Sequence, residues 1–153
     1  MSKRVFKDHL SLRNLFLEEL PSFLNGLCVE GYLDIAHNKL TTLHNCPQQI
    51  TSSFYCHNNK LVSLEGSPIL KSVVHTCSFY CSNNMLTSLK GCPRRIDGDF
   101  QCNFNPLTSL DDCPEYVGGD FFLGNHSVDF TKEDVKKVCE VGGMIYDTSI
   151  IFP

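Results

Sequence analysis

The sequence contains no apolar run that approaches the roughly 18 residues needed to cross a bilayer. Its opening stretch is interrupted by charged side chains, so we expect neither a membrane anchor nor a signal peptide. Lysine and arginine are scattered along the chain, and the formal net charge is -4, which is not the charge distribution of a nucleic-acid-binding protein. These absences predict a cytoplasmic protein that binds neither membranes nor nucleic acid.

The chain is also poor in charge, with 20% charged residues against 42% hydrophobic ones in 153 residues. This composition argues against disorder, and the length is that of one domain, which we assign to residues 1–153. There are nine cysteines. Because the number is odd and no export signal accompanies it, we predict free thiols in a reducing compartment.

The main organising feature is an internal repeat of about 21 residues. An asparagine, a pair of leucines three residues apart and a proline recur in the same phase, as Asn38, Leu40, Leu43 and Pro47, then Asn59, Leu61, Leu64 and Pro68, then Asn84, Leu86, Leu89 and Pro93, then Asn105, Leu107, Leu110 and Pro114. A fifth, weaker copy has His126 in the asparagine position. One interval is longer by four residues, which we place in a bulged loop around residues 71–76.

An apolar pair with one residue between its members precedes each asparagine, as in Phe54 and Cys56. This alternation predicts one short strand per repeat, followed by a 3₁₀ or extended return that the proline keeps short. Such a unit cannot bury its apolar face alone, so the repeats must stack with parallel strands. We therefore expect Phe54, Phe79 and Phe100 to be neighbours in one core, and the asparagines to bond the backbone of adjacent turns.

The segments FYCHNNKLVSL, FYCSNNMLTSL and FQCNFNPLTSL resemble leucine-rich repeats. The segment SLKGCPRRIDGDFQC more narrowly resembles short repeats of the GCPxxVxGDFxC type, found in uncharacterised phage and bacterial proteins. The resemblance covers about residues 20–128. It implies an α/β leucine-rich-repeat solenoid with a short parallel β-ladder and a partner-binding surface on the strand side. It also suggests a phage-encoded factor that acts on a host protein.

Both ends are predicted to be helical caps around about five repeats at residues 28–128. The N-terminal cap is residues 1–27, with a helix over residues 7–20 because their leucines have roughly helical spacing. The C-terminal cap is residues 129–153. Thr131 and Asp134 there have the form of a helix N-cap, Gly142 and Gly143 provide a stop, and residues 144–152 are expected to form a strand.

Cysteine and histidine residues suggest an alternative function as a metal protein or cryptic enzyme near residues 71–81. The candidate ligands are Cys77, Cys81 and His75, or Cys56 with His57. Cys28 and Cys139 are the candidates for a nucleophile because they lie outside the repeat phase. Core packing explains the other thiols more simply, since Cys56, Cys81 and Cys102 share one inward position. We predict no catalysis, no metal and no cofactor.

The remaining candidate site is the outward side of the strand ladder, where side chains alternate with the core positions. The predicted partner-binding residues are Tyr32, Asp34, Tyr55, His57, Tyr80, Asp99, Gln101, Asp120 and Phe122. Aromatic rings provide contact area and carboxylates favour lysine or arginine, which predicts a protein partner with basic residues at the contact. Two alternatives remain open: aromatic residues suit strands and pair between neighbours anyway, and the last strand could pair with a second copy.

Overall fold

Each turn of the chain contributes two short strands, and the turns stack as a parallel β-solenoid. The computed structural model describes residues 4–72 and 76–147. The first strands of the successive turns are β1 Arg4–Phe6, β3 Leu27–Val29, β5 Gln49–Ile50, β7 Ile69–Leu70, β9 Arg95–Ile96, β11 Tyr116–Val117 and β13 Glu140–Val141. The second strands are β2 Leu10–Ser11, β4 Leu33–Asp34, β6 Phe54–Tyr55, β8 Phe79–Tyr80, β10 Phe100–Gln101, β12 Phe121–Phe122 and β14 Ile145–Tyr146. The helical elements are a 3₁₀ turn, Ser22–Leu24, and the helix α1, Lys132–Val138.

The second strands form one uninterrupted seven-stranded sheet in the order β14-β12-β10-β8-β6-β4-β2. The first strands, which we call the first-strand face, are divided into a four-stranded sheet β1-β3-β5-β7 and a three-stranded sheet β13-β11-β9. The two sheets of this face are separated between β7, which precedes the four extra residues, and β9, which follows them. At about 4.8 Å per strand, the seven turns extend over roughly 30 Å.

The structure corrects two predictions about the repeat: there are seven turns instead of five, and two strands per turn instead of one. Small residues lie between the two strands in most turns. Gly98 is an example, because a Cβ atom there would collide with the Ser78 hydroxyl and press against the Cys77 carbonyl of the preceding turn. The backbone bends at residues 97–98, between β9 and β10. The alternating apolar positions of one turn are therefore divided between two short strands.

The core is a stack of phenylalanine rings behind the seven-stranded sheet. Phe54, Phe79, Phe100 and Phe121 are fully buried, and adjacent rings have centroids 5.2, 6.1 and 5.0 Å apart. The predicted shared interior of the repeats is therefore confirmed. The paired leucines of each repeat are also buried and belong to the same core.

The predicted helix over residues 7–20 is wrong. Leu10–Ser11 forms β2 and pairs in parallel with Leu33–Asp34. The reason is that Leu10 and Leu12 repeat the alternation of Leu33 and Ile35, and Asn14 has the positive φ that His37 has one turn later. The N-terminal segment is thus another turn of the solenoid, and β1 and β2 are the end strands of their sheets among the described residues.

At the other end, α1 begins where the sequence predicts. Thr131 and Asp134 form a reciprocal capping box, and Val135 is the buried residue of the helix. The helix ends at Val138, before the glycine pair 142–143, which instead lies between β13 and β14. Of the predicted final strand, Ile145–Tyr146 is observed, while residues 148–152 lie outside the described residues, as do residues 73–75 of the predicted loop.

Candidate functional site

The surface of the seven-stranded sheet carries one outward residue from each second strand. The strand register aligns these residues, which we call the outer row: Ser11, Asp34, Tyr55, Tyr80, Gln101, Phe122 and Tyr146. All except the exposed Ser11 are half-buried. The structure thus brings the predicted Asp34, Tyr55, Tyr80, Gln101 and Phe122 into one line.

Two pairs of aromatic rings stack along the outer row. Tyr55 and Tyr80 have centroids 4.9 Å apart with an interplanar angle of 9°, and Phe122 and Tyr146 have 4.6 Å and 7°. Gln101 lies between the two pairs, so the inner rings, Tyr80 and Phe122, are two strand spacings or about 10 Å apart. Each inner ring therefore has one face covered by its stacking partner and one face directed toward Gln101.

Tyr32 lies beside the outer row. We call the rings of the outer row, together with those of Tyr32, His9 and His57, the aromatic surface. The Tyr32 ring meets Tyr55 edge to face at 5.9 Å and stacks on the His9 ring at 4.2 Å. Burial raises the pKa of Tyr55 above its ordinary value, a hydrogen bond with the Ser53 side chain opposes this, and the nearby Tyr80 and Asp34 raise the pKa further. The Tyr55 phenol is therefore neutral near pH 7 and can donate a hydrogen bond.

A column of polar side chains lies where each turn enters the seven-stranded sheet. Each side chain accepts a hydrogen bond from the backbone amide of the next turn. The capping column consists of His9, Ser53, Ser78, Asp99 and Asp120, and its acceptor atoms lie 2.8–3.2 Å from the amide nitrogens. The predicted partner-binding residues Asp99 and Asp120 thus have a structural role, because each uses one carboxylate oxygen to satisfy the next turn.

The capping column explains the Gly-Asp-Phe motif of the repeats. The Asp99 carboxylate occupies the space where a Cβ of Gly119 would lie, and it accepts from the Asp120 amide at 2.9 Å. The glycine lets the next turn approach, the aspartate binds that turn, and the phenylalanine enters the core. The motif is therefore a local solution to close stacking.

The third predicted carboxylate, Asp34, is also paired within the chain. Its Oδ2 lies 3.2 Å from the Arg13 guanidinium, and its Oδ1 accepts from the Ala36 amide at 3.0 Å. The Arg13 contact comes from the N-terminal turn that the sequence did not reveal. The charge of Asp34 is consequently balanced within the sheet surface.

The asparagine stack bonds the backbone where each turn leaves the sheet, as the sequence predicted. Asn84 is buried, its amide group donates to the carbonyls of Cys56 and Cys81 at 3.1 Å each, and its Oδ1 accepts from the Leu61 amide at 3.0 Å. Asn38, Asn59 and Asn105 make equivalent bonds. Their polar groups are used by the fold.

His57 lies beside the outer row and is half-buried. Its ring meets the His37 ring edge to face at 5.3 Å, and its Nδ1 has no hydrogen-bond partner among the described residues. Burial lowers its pKa, and the positive charge of Arg13 lowers it further. His57 is therefore a neutral ring that widens the aromatic surface.

The thiols proposed as metal ligands belong to the core. Cys56 and Cys81 are fully buried, and burial raises the pKa of both, which disfavours the thiolate form that binds metals. Cys77 is buried, and its Sγ contacts the Thr51 carbonyl at 3.6 Å. Within residues 4–72 and 76–147, no group of three or more candidate ligands could hold a metal ion, and His75 lies outside the described residues.

Two members of the aromatic surface, His9 and Tyr146, were missed by the sequence prediction because they lie in the regions assigned to caps. Faint signals were present. The segment Asp8–Leu12 matches Gly31–Ile35 in its alternation, and Gly143–Tyr146 occupies the phase of Gly119–Phe122. The N-terminal turn also keeps the leucine pair, since Leu17 and Leu20 stand 23 residues before Leu40 and Leu43, but it lacks an asparagine and a proline in phase.

Comparison with known proteins gave no match to any family model, any curated protein or any solved structure. Among the described residues, no helix has the length and apolar character required to traverse a bilayer.

Proposed function

We propose that this protein is a non-catalytic recognition module that binds a partner protein through the outer row and the adjoining Tyr32 and His57. The observation that carries the proposal is the pair of aromatic stacks on either side of Gln101. Rings held by a stacked sheet lose little conformational freedom on binding, so their contact area contributes efficiently to affinity. Tyrosine and phenylalanine are also enriched at protein interfaces, and tyrosine is enriched at their hot spots.

We propose that the partner presents basic residues at the contact, as the sequence also suggested. The reason is now the aromatic ring faces instead of the carboxylates. The carboxylates of Asp34, Asp99 and Asp120 already accept hydrogen bonds within the chain. The ring faces of Tyr80 and Phe122 that are directed toward Gln101 offer an alternative attraction. A guanidinium or ammonium group over an aromatic face gains about 0.5–2 kcal/mol, and the net charge of -4 favours the approach of a basic surface.

The leucine-rich-repeat resemblance supports the same function, because it places the binding surface on the strand side. The resemblance of the GDF-containing repeats to phage sequences is the support for a phage-encoded factor that acts on a host protein. Both are hypotheses that rest on sequence similarity.

The test is affinity capture from a cell lysate with three forms of the full chain. The Tyr55→Ala, Tyr80→Ala double variant removes one aromatic stack, and Tyr116→Ala removes a half-buried tyrosine from the first-strand face, where it contacts Arg95. We expect the double variant to lose at least about 10-fold of the captured partner, while Tyr116→Ala retains it. Equal recovery by the double variant and the wild type, with both folded by circular dichroism, would remove the outer row as the binding site.

A further inference from the structure

The turn that leads into β3 contains the only Asn-Gly dipeptide of the chain. Asn25 follows the 3₁₀ turn Ser22–Leu24, and Gly26 separates it from Leu27, the first residue of β3. Asn25 has a φ of -58° and a ψ of 128°, and Gly26 has a φ of 73°. These are the backbone angles of the two central residues of a type II turn, whose second central position requires glycine or asparagine.

The side chain of Asn25 is held by none of the described residues. Asn25 and Gly26 are both exposed, and neither the side-chain amide of Asn25 nor the backbone amide of Gly26 has a hydrogen-bond partner in the described part of the chain. The hydrogen bond that closes a type II turn uses the amide of the residue after the glycine, so it leaves the Gly26 nitrogen unused. The carbonyl carbon of the Asn25 side chain and the Gly26 nitrogen can therefore approach each other when the peptide between them rotates.

The other asparagines differ from Asn25 in one of two ways. Most have side chains that are hydrogen-bonded within the chain, namely Asn38, Asn45, Asn58, Asn59, Asn83, Asn84 and Asn105. Asn14, Asn103 and Asn125 make no such bond to the described residues, but each precedes a residue with a large side chain, which obstructs attack by that residue's nitrogen. A Cβ atom placed at Gly26 would meet nothing within 4 Å, so Asn25 alone is both unbonded and unobstructed.

We propose that Asn25 is a site of spontaneous deamidation, at which a cyclic imide converts the asparagine to aspartate and isoaspartate. The Gly26 nitrogen loses its proton to hydroxide and attacks Cγ of Asn25, which closes a succinimide ring with a new C–N bond. The bond between Cγ and Nδ2 breaks, and the leaving nitrogen takes a proton from water and departs as ammonia, which regenerates the hydroxide. Water then adds to one imide carbonyl and breaks its C–N bond, so the net reaction consumes one water and releases one ammonia.

The carbonyl that water attacks decides the product. Attack at the side-chain carbonyl gives aspartate, whereas attack at the backbone carbonyl gives isoaspartate, in which the main chain runs through Cβ. Isoaspartate thus adds one atom to the main chain directly before Leu27, which pairs with Arg4 of β1. Both products add a negative charge to the turn of the solenoid that continues into β4, where Asp34 belongs to the outer row.

The experiment incubates the reduced full chain in neutral buffer and takes samples over several days. Cleavage after lysine and arginine releases residues 14–39 as one peptide, which contains Asn14, Asn25 and Asn38. Fragmentation mass spectrometry locates the exchange of the amide group for a hydroxyl group, and an isoaspartyl methyltransferase labels the isoaspartate. We expect Asn25 to be converted at least about 10-fold faster than Asn14 or Asn38, a ratio that corresponds to a barrier difference of about 1.4 kcal/mol.

Two variants separate the reaction from the shape of the turn. Gly26→Asn keeps a residue that tolerates positive φ but places a side chain beside the attacking nitrogen, so conversion of Asn25 should fall at least about 10-fold. Asn125→Gly is the matched control, because it removes an exposed asparagine of positive φ that is followed by histidine, and it should leave the conversion of Asn25 unchanged.

The comparison within the wild-type peptide is the decisive measurement, since it depends on the folding of no variant. A synthetic peptide of residues 23–28 provides the reference for the unfolded dipeptide. Equal conversion of Asn14, Asn25 and Asn38 would overturn the proposal. Conversion of the synthetic peptide under conditions that leave Asn25 of the folded chain intact would overturn it as well, because the turn would then protect the dipeptide.

Discussion

The seven-stranded sheet and the first-strand face respond differently to the four extra residues between β7 and β8. The seven-stranded sheet continues through all seven turns, whereas the first-strand face divides between β7 and β9. Three sets of side chains accompany the continuous sheet: the phenylalanine stack behind it, the capping column where each turn enters and the asparagine stack where each turn leaves. Behind the first-strand face, Val29, Ile50, Ile96 and Val117 are buried as well, but Leu70 of β7 is only partly buried and the neighbouring Ile69 is exposed.

This difference indicates what holds the register of a solenoid with two-residue strands. So few backbone bonds per strand do not by themselves resist an extra loop. The phenylalanine stack and the asparagine stack each add buried contacts or bonds in four successive turns, including the turns on either side of the four extra residues. The sheet that they accompany stays continuous there, while the first-strand face divides.

The largest expected effect comes from the core behind the continuous sheet. Phe79→Ala removes a ring that is 0% exposed and contacts the rings of Phe54 and Phe100. We expect a loss of about 3–5 kcal/mol in the free energy of unfolding, from the lost apolar burial and the cavity left behind. Ile69→Ala on the first-strand face, where the side chain is 61% exposed, should cost less than about 0.5 kcal/mol. Similar costs for the two variants in urea denaturation would contradict the comparison.

A smaller effect is expected from the asparagine stack. Asn84→Leu leaves the Leu61 amide and the carbonyls of Cys56 and Cys81 without the side-chain partner they have now, at a cost of about 1–3 kcal/mol. The neighbouring Asn83 is exposed and has a positive φ, so Asn83→Gly is a suitable control that should change stability by less than about 0.5 kcal/mol. The prediction fails if Asn84→Leu keeps the denaturation midpoint of the wild type.

The smallest expected effect is a pH dependence of stability caused by His126, the residue by which the weaker fifth copy differs from the regular copies. His126 occupies the asparagine position there, contacts the Asn105 carbonyl at 2.7 Å through Nδ1, and has a pKa lowered by burial. Because the unfolded chain then binds more protons, stability should fall as pH decreases below about 6.5 and through the lower folded pKa.

His126→Asn restores the amide of the other copies and removes this ionisation, so its stability should vary less between pH 7.5 and pH 5.5. His57, whose pKa is also lowered by burial, contributes a pH dependence of the same sign that remains in this variant. Thermal unfolding of both proteins across this range provides the measurement. An identical pH dependence for the two would show that His126 does not titrate on unfolding.

The middle of the chain was predictable because the same spacing of apolar residues, asparagine and proline recurs in several copies. The phase of Phe54, Phe79 and Phe100 identified the shared core, and Thr131 with Asp134 identified the start of α1. The terminal turns were missed since the N-terminal one keeps its alternation and its leucine pair, Leu17 and Leu20, but no asparagine or proline in phase, and the C-terminal one keeps only the alternation at Ile145. A short alternating segment is compatible with a helix until a neighbouring strand pairs with it.

For the candidate site, the sequence predicted which side chains are directed outward but not what they contact. Asp99 and Asp120 looked like partner-binding carboxylates because nothing in one copy shows that the next turn presents an amide to each of them. Tyr55 and Tyr80 were correctly aligned, but their stacking depends on ring orientation. That orientation is set by the side chains of three turns together.

The sequence by itself determined the stacked solenoid, its core positions and its asparagine stack, because a repeated apolar phase can bury its surface only against copies of itself. The tertiary structure alone decided that each turn bends into two strands, that the insertion divides one face, and that carboxylates and thiols meet particular partners. Those outcomes depend on distances between turns about 21 residues apart, and such distances are not encoded within any single copy.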